Sequence, residues 1–446
     1  MEDDPLFRRI RQHAELRLSF NASQSDKDRL EQIKEFMRLE KEMLFRYHQK
    51  GDSGLRLTRA RAVIMDVLIQ NLFAYGMDVA SESIDRVKPM CILATGGYGR
   101  GELSPHSDID LMFLYHRKSM GKSLELLKET MTREILYPLW DTGMKVGHAS
   151  REFKEAISEA QKDIRNKNSM MDARFVCGDR KLAKKFISGF LKFCRSNQPG
   201  KYLKELLGDQ EARRKEKGGT VFLQAPDVKN GCGGLRDYQG ILWMTKAKFE
   251  RDGMSELIAR KYLSEEEAKS FQEAYSFLLR VRNELHFRSK RPVDVLHLEK
   301  QPEVAQGLGY PEEDIFRRVE SFMGDYYSKA RTINQLSSIL EQRLVNDRAG
   351  STSSLSFSSV LRSYRSSPVE KMDGFELRED QLSASDPSVF DEDPERMIRL
   401  FRHAQRHAYS LSPDLRSLVR NRISLIDSTL INSSSANVTF RSILQE

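Results

Sequence analysis

Apolar positions along the chain fall into two rhythms. Near the N-terminus, Leu30, Ile33, Met37, Leu44 and Tyr47 recur at helical spacing, with Ser25 placed to cap the start and Gly51 to stop the end. A second helix is predicted over Thr58–Tyr75, carrying Val63, Val67, Leu68 and Leu72. The rhythm then changes. Met90–Ala94 and Ile109–Leu114 are short, continuous apolar runs of the kind that form buried strands, and a glycine-rich stretch joins them.

Helical spacing returns with Leu124, Leu127, Met131, Ile135 and Leu139, followed by a predicted strand at Val146–Ala149 and a helix capped by Ser150. Residues 169–179 are expected to form an apolar strand interrupted by Asp172 and Arg174 on one face. Beyond residue 220 the pattern is helical. Gly231, Gly233 and Gly234 open onto a helix with Leu235, Ile241 and Leu242, and Ser264 to Glu267 is a capping box ahead of Ala268, Phe271, Tyr275, Leu278 and Leu285. A later helix carries Val319, Phe322, Met323, Tyr326, Tyr327, Ala330 and Ile333, an aromatic stripe expected in the core.

These elements predict an α/β (α+β) domain with a small mixed sheet, followed by a mainly α-helical domain. The expected divisions are a helical segment 1–80, a catalytic domain 81–220, a helical domain 221–348, a flexible serine-rich and acidic linker 349–392, and a helical segment 393–446.

Composition adds limits. An apolar fraction of 39% with 31% charged residues is that of an ordinary soluble protein, and no run is expected to reach the length of a membrane span. The net charge of +8 is spread among 65 acidic residues rather than gathered in a block, which argues against a nucleic-acid partner. Cys91, Cys177, Cys194 and Cys232 show no paired metal-ligand spacing and are expected as reduced, cytoplasmic thiols.

Candidate chemistry concentrates between Ala94 and Tyr115. Gly96, Gly97, Gly99 and Gly101 allow positive φ and close approach of a phosphate to the main chain, and Arg100 adds a cation. Asp108 and Asp110, two residues apart, point to one face of a strand, where two like charges repel unless a cation lies between them. Mg²⁺ or Mn²⁺ suits such hard oxygen ligands, with substrate phosphate completing the shell. In the second glycine stretch, Lys229 and Arg236 flank a helix N-terminus, an arrangement that binds anions, and Asp227 and Asp237 could hold these cations or a metal.

Gly96-Gly97 followed by Ser107-Asp108-Ile109-Asp110 resembles the signature of the DNA-polymerase-β-like nucleotidyltransferase superfamily. The fuller string Gly-Gly-Tyr-Gly-Arg-Gly-Glu-Leu…Ser-Asp-Ile-Asp-Leu resembles the PII uridylyltransferases, as does Lys229-Asn-Gly-Cys-Gly-Gly-Leu-Arg236-Asp, a string also similar to glutamine synthetase adenylyltransferases. Cys232 and Gln224-Ala225 depart from the family pattern. The resemblance implies Asp108 and Asp110 as metal ligands, Asp172 as a third catalytic carboxylate, and Gly96, Gly97, Arg100, Ser107, Lys229 and Arg236 as nucleotide-binding. It further implies UTP as donor and a PII-type signalling protein as acceptor. His148 also falls within a family string, with a structural role expected.

Full-length members continue into an HD phosphohydrolase domain and two ACT domains. With no His-Asp dipeptide before Glu446, neither is expected here. An adenylyltransferase and a non-catalytic nucleotide-binding regulator are the alternative functions.

Overall fold

A computed structural model of the 446-residue chain describes residues 4–21, 23–84, 89–116, 121–249, 253–346, 370–378, 381–407 and 409–445. They form two compact units, Met1–Val345 and Asn346–Glu446.

The first unit opens with three helices, α1 (Pro5–Arg17), α2 (Asp26–Gln49) and α3 (Gly54–Ser83). Asp4, Ser25 and Ser53 each accept a backbone N–H in the first turn of the helix they cap. Among the described residues one helical stretch, Gly54–Glu82 within α3, is by length and composition apolar enough to cross a membrane, which corrects the expectation of no such run. Its apolar residues Leu57, Ile64, Leu68 and Leu72 instead join a core with α1, α2 and one face of the sheet.

That sheet has the order β3-β2-β1-β4, with β1 at Met90–Ala94, β2 at Ile109–Tyr115, β3 at Val146–Arg151 and β4 at Arg174–Gly178. β1 pairs antiparallel with β2 and β4, while β2 and β3 run parallel. The glycine stretch between β1 and β2 is not an open loop, because Gly96–Gly99 forms one helical turn, α4. Between β2 and β3 run α5 (Lys122–Met131), a π-helical turn at Thr132–Leu136 and α6 (Tyr137–Asp141).

Two local predictions change. The helix after β3, α7 (Phe153–Lys162), is capped by Glu152 in a capping box with Glu155, so Ser150 stays inside the strand. The expected strand 169–179 begins at Arg174, because Ile164–Met171 is a helix, α8, and Asp172 ends it. A charged side chain at a helix end can turn away from the sheet and find partners elsewhere, which resolves the cost of burying it in an apolar strand.

Helices α9 (Arg180–Ser196), α10 (Pro199–Glu216), α11 (Leu235–Lys248), α12 (Met254–Ala259), α13 (Glu265–Phe287), α14 (Gln301–Gly307) and α15 (Ile315–Asn346) complete the unit. Their core includes Phe271, Tyr275, Leu278, Phe322, Tyr326 and Ile333, so the aromatic stripe is packing. The same core takes Leu93, Met112 and Leu114 from the other face of the sheet. All four cysteines are free, and burial pushes the thiol of Cys91 up to about 12 and that of Cys194 up to about 11.

Of the expected linker 349–392, the part before Glu370 lies outside the described residues. Its described residues from Glu370 onward are folded, in correction of that expectation. Short strands Glu370–Met372, Phe375–Arg378 and Gln381–Ala384 form a sheet completed by Ser410–Leu411. Phe375, Leu382, Phe390, Met397, Leu400 and Leu415 make the separate core of the second unit.

Candidate active site

The first links are local. Thr95 N–H donates to the Asp110 carbonyl at 3.0 Å, closing the strand pair just before the chain turns into α4. Gly96 has φ +56°, and a Cβ there would lie 3.0 Å from Asp110 Oδ2 and 3.3 Å from Ser169 Oγ. Glycine is therefore favoured by the backbone angle, and any Cβ here would press on the carboxylate beside it. Ser169, on α8, is a neighbour of this turn that the sequence pattern did not single out.

Asp108 stands exposed one residue before β2, and Asp110 is half-buried on it. Among the described residues neither carboxylate accepts a hydrogen bond or ion pair. Burial, then repulsion from Asp108, pushes the Asp110 carboxyl above its ordinary range, against the pull of Lys229, Arg100 and Arg236. A carboxylate pair left uncompensated by the protein fits a divalent cation, and the ligands would be Asp108 and Asp110. Among the described residues no group of three or more His, Cys, Asp or Glu forms a metal cluster.

Asp172 does not join this pair. It is buried, with Arg100 Nη1 2.6 Å from Oδ2, Lys246 Nζ 2.8 Å from Oδ1, and the Trp243 indole N–H donating to Oδ2 at 2.9 Å. Burial alone would raise its pKa, but the two cations more than offset it and hold the carboxyl below its ordinary range. Both oxygens are engaged, so the side chain expected as a third catalytic carboxylate serves here as an internal counter-ion. Nor does Asp172 pair with Arg174, which bonds Asp66 at 2.7 Å.

Arg100 is correspondingly less free than its place in the glycine stretch suggests. Nε binds Glu102 at 2.9 Å while Nη1 binds Asp172, and Glu102 also accepts from Tyr275 at 2.7 Å. Its Nη2 lies 3.8 Å from where a Cβ on Gly97 would sit, facing the turn.

The surplus positive charge comes from the second stretch. Arg236 has Gln239 Oε1 at 3.3 Å and stacks near Trp243, with its centre 5.4 Å from the ring, and it meets no carboxylate among the described residues. Burial, then Arg100, pushes its pKa down to about 10. Lys229 is 3.8 Å from Asp294, and burial and Arg282 lower its pKa.

The helix end between these cations is not open to an anion through its backbone. Gly233 N–H donates to Asp237, Leu235 N–H to the Val228 carbonyl and Arg236 N–H to the Lys229 carbonyl. Asp237 is buried against Arg213 and Arg214, and Asp227 accepts the amides of Lys229 and Asn230, so neither is poised for a metal. The side chains of Lys229 and Arg236 remain the anion-seeking groups.

Ser107 Oγ accepts the Ser104 amide at 3.1 Å and Arg282 Nη1 at 3.3 Å, shaping the turn that delivers Asp108. On the side of β3, a cleft of about 380 Å³ is lined by Asp108, Asp110, Trp140, Met144, Lys145, Val146 and Gly147. Trp140 and Lys145 lay outside every motif in the sequence. His148, exposed on β3, has its ring 5.7 Å from that of Trp140.

Comparison with known proteins bears on two stretches. Residues 201–341 match the family model described as GlnD PII-uridylyltransferase, and residues 375–446 match that described as Uridylyltransferase GlnD third domain. The chain carries GlnD-type domains. Its relatives include proteins named bifunctional uridylyltransferase/uridylyl-removing enzyme. Those of Bradyrhizobium sp. strain BTAi1 and Rhodopseudomonas palustris are 32% identical over 401 residues, 89% and 88% of this chain. That of Bradyrhizobium diazoefficiens is 33% identical over 361 residues, 80% of the chain. The alignments span 42%, 42% and 38% of those GlnD-type relatives respectively, so the chain covers about two fifths of their length.

Proposed function

We propose that this chain is a metal-dependent nucleotidyltransferase that moves UMP from UTP to a tyrosine hydroxyl of a PII-type signalling protein and releases pyrophosphate. The observation that carries the reading is the uncompensated Asp108/Asp110 pair, with two cations nearby: Arg236, which meets no carboxylate among the described residues, and Lys229, which has Asp294 at 3.8 Å. Support also comes from the GlnD-type matches and from the β1, glycine turn, β2 arrangement expected of a nucleotidyltransferase domain.

In this reading Asp108 and Asp110 hold Mg²⁺ or Mn²⁺, which would neutralise phosphate charge and favour the ionised acceptor hydroxyl. Lys229 and Arg236 bind the outer phosphates, and the α4 turn at Gly96 and Gly97 lets them approach the main chain. The tyrosine oxygen bonds to the α-phosphorus as the bond to the pyrophosphate oxygen breaks, and the hydroxyl proton passes to solvent or a neighbouring base. Ser107 acts by holding the turn before Asp108.

The test is transfer of labelled nucleotide from UTP, ATP, CTP and GTP to purified PII protein with Mg²⁺ or Mn²⁺, with Asp110→Asn as control. UMP on PII, absent in the control, is expected. Transfer of AMP to glutamine synthetase instead would establish the adenylyltransferase alternative, and nucleotide binding without transfer to either acceptor would overturn the uridylyltransferase reading.

A further inference from the structure

The end of α13 meets both loops of the candidate site. The His106 backbone N–H donates to His286 Nδ1 at 3.1 Å, and His106 Nε2–H donates to the Ser289 carbonyl at 2.8 Å. Arg282, one helical turn earlier, reaches Ser107 Oγ. The turn that delivers Asp108 thus hangs from one end of one helix.

The loop that delivers Lys229 hangs from the same place. Asp294 accepts Arg282 Nε at 2.7 Å and faces His286 Nε2 at 3.3 Å, with Lys229 Nζ 3.8 Å away. Its carbonyl accepts the Val228 amide at 2.8 Å, and Leu296 N–H donates to the Pro226 carbonyl at 2.9 Å.

The chemistry of His286 follows. A backbone amide can only donate, so Nδ1 is the bare acceptor and the proton resides on Nε2, aimed at Asp294. The ring is fully buried, so its two nitrogens address two loops with no water between them.

We propose that His286, with Asp294 and Arg282, is a positioning clamp that sets the distance between Asp108 and Lys229, and hence between a bound metal and the phosphate it shares. The proposal rests on the nucleotidyltransferase reading for its catalytic meaning, though not for its structural test. These residues touch neither substrate nor metal; they act through the turn at His106-Ser107 and the loop at Val228-Lys229.

The test uses the full chain with His286→Phe, His286→Asn and Arg282→Met. Phenylalanine keeps a ring but loses both nitrogens, whereas the asparagine Oδ1 can take the His106 amide. In His286→Phe, hydrogen exchange at residues 104–108 should quicken at least tenfold, and Mn²⁺ affinity measured with UTP present should fall at least tenfold. If transfer is measurable, kcat should drop more than the UTP KM rises. His286→Asn should recover most of the exchange protection and Mn²⁺ affinity. Arg282→Met, which cuts only the Ser107 and Asp294 bonds, should show the same changes at smaller size, so a misfolded His286→Phe still leaves a decision.

A folded His286→Phe, or failing that Arg282→Met, with wild-type exchange and Mn²⁺ affinity would overturn the clamp, as would a folded His286→Asn no better than a folded His286→Phe. If the wild-type chain transfers no nucleotide, the functional reading fails while exchange and Mn²⁺ binding still decide the clamp.

Discussion

Gly147 faces Asp110 across the parallel β2–β3 pair, and a Cβ at position 147 would stand 2.7 Å from Asp110 Oδ1. The obstacle is the end of a side chain, so the carboxylate rather than the sheet would move. Gly147→Ala should therefore keep the fold and the thermal midpoint within a few degrees while reducing transfer at least tenfold and raising the metal concentration needed for half activity. Steady-state assays over a Mg²⁺ series check this. An unchanged metal requirement would show that Asp110 tolerates displacement.

Asp110 itself predicts a gain. Its raised pKa means that the folded state binds the proton more tightly, so stability is gained as pH falls through that value and the ionised form carries a penalty at neutral pH. Asp110→Asn should abolish transfer yet raise the melting temperature of the metal-free protein. Calorimetry with and without Mg²⁺ tests the account, with the metal expected to stabilise only the parent chain.

Asp172 predicts the reverse. Removing its charge by Asp172→Asn leaves Arg100 and Lys246 buried with one carboxylate fewer, a loss of about 3–5 kcal/mol by the usual cost of breaking a buried pair. Its depressed pKa gives stability that is present above the ordinary carboxyl range and lost as pH falls below it. Urea denaturation should show a large fall in midpoint for Asp172→Asn and none for Asp108→Asn. Equal midpoints would return Asp172 to the list of chemical rather than structural groups.

His286 sets a third pH dependence. Burial first, then Arg282 and His106, press its pKa down to about 4 from 6.5, against the opposing pull of Asp294. The neutral ring is the form that the fold requires, so its contribution is complete above pH 6.5 and is lost as pH falls toward 4. One such group gives a slope of at most about 1.4 kcal/mol per pH unit. Denaturation midpoints from pH 7 to 4 should fall less steeply in His286→Asn, and parallel curves would refute the assignment.

The sequence showed this site unevenly. Strand β1, the glycine turn and β2 follow from local pattern, because burial of Met90–Ala94 and the period-two placement of Asp110 need no distant partner. The capping box at Ser264 was legible for the same reason. Asp172 was not, since what decides its role is Lys246 and Trp243, more than seventy residues later, and a helix end that shifts it off the strand. The anion-binding helix end at Leu235 failed on an equally hidden fact, that Asp237 folds back onto Gly233. Ser169, Trp140 and Lys145 belong to no motif, and three-dimensional proximity alone marks them. The small sheet from Glu370 was obscured by strands of three or four residues in polar, acidic sequence.

Glu102, Arg100, Asp172 and Lys246 form a chain of ion pairs, two cations and two carboxylates drawn from three separate stretches of chain. None of the four can change sign alone without leaving a charge stranded indoors. Chimaeras with related proteins therefore face a rule about where to cross over. A junction between residues 172 and 246 joins the arginine and two carboxylates of one parent to residue 246 of the other, and suits the set only where that second parent also supplies a lysine there. A junction after 246 inherits the set whole.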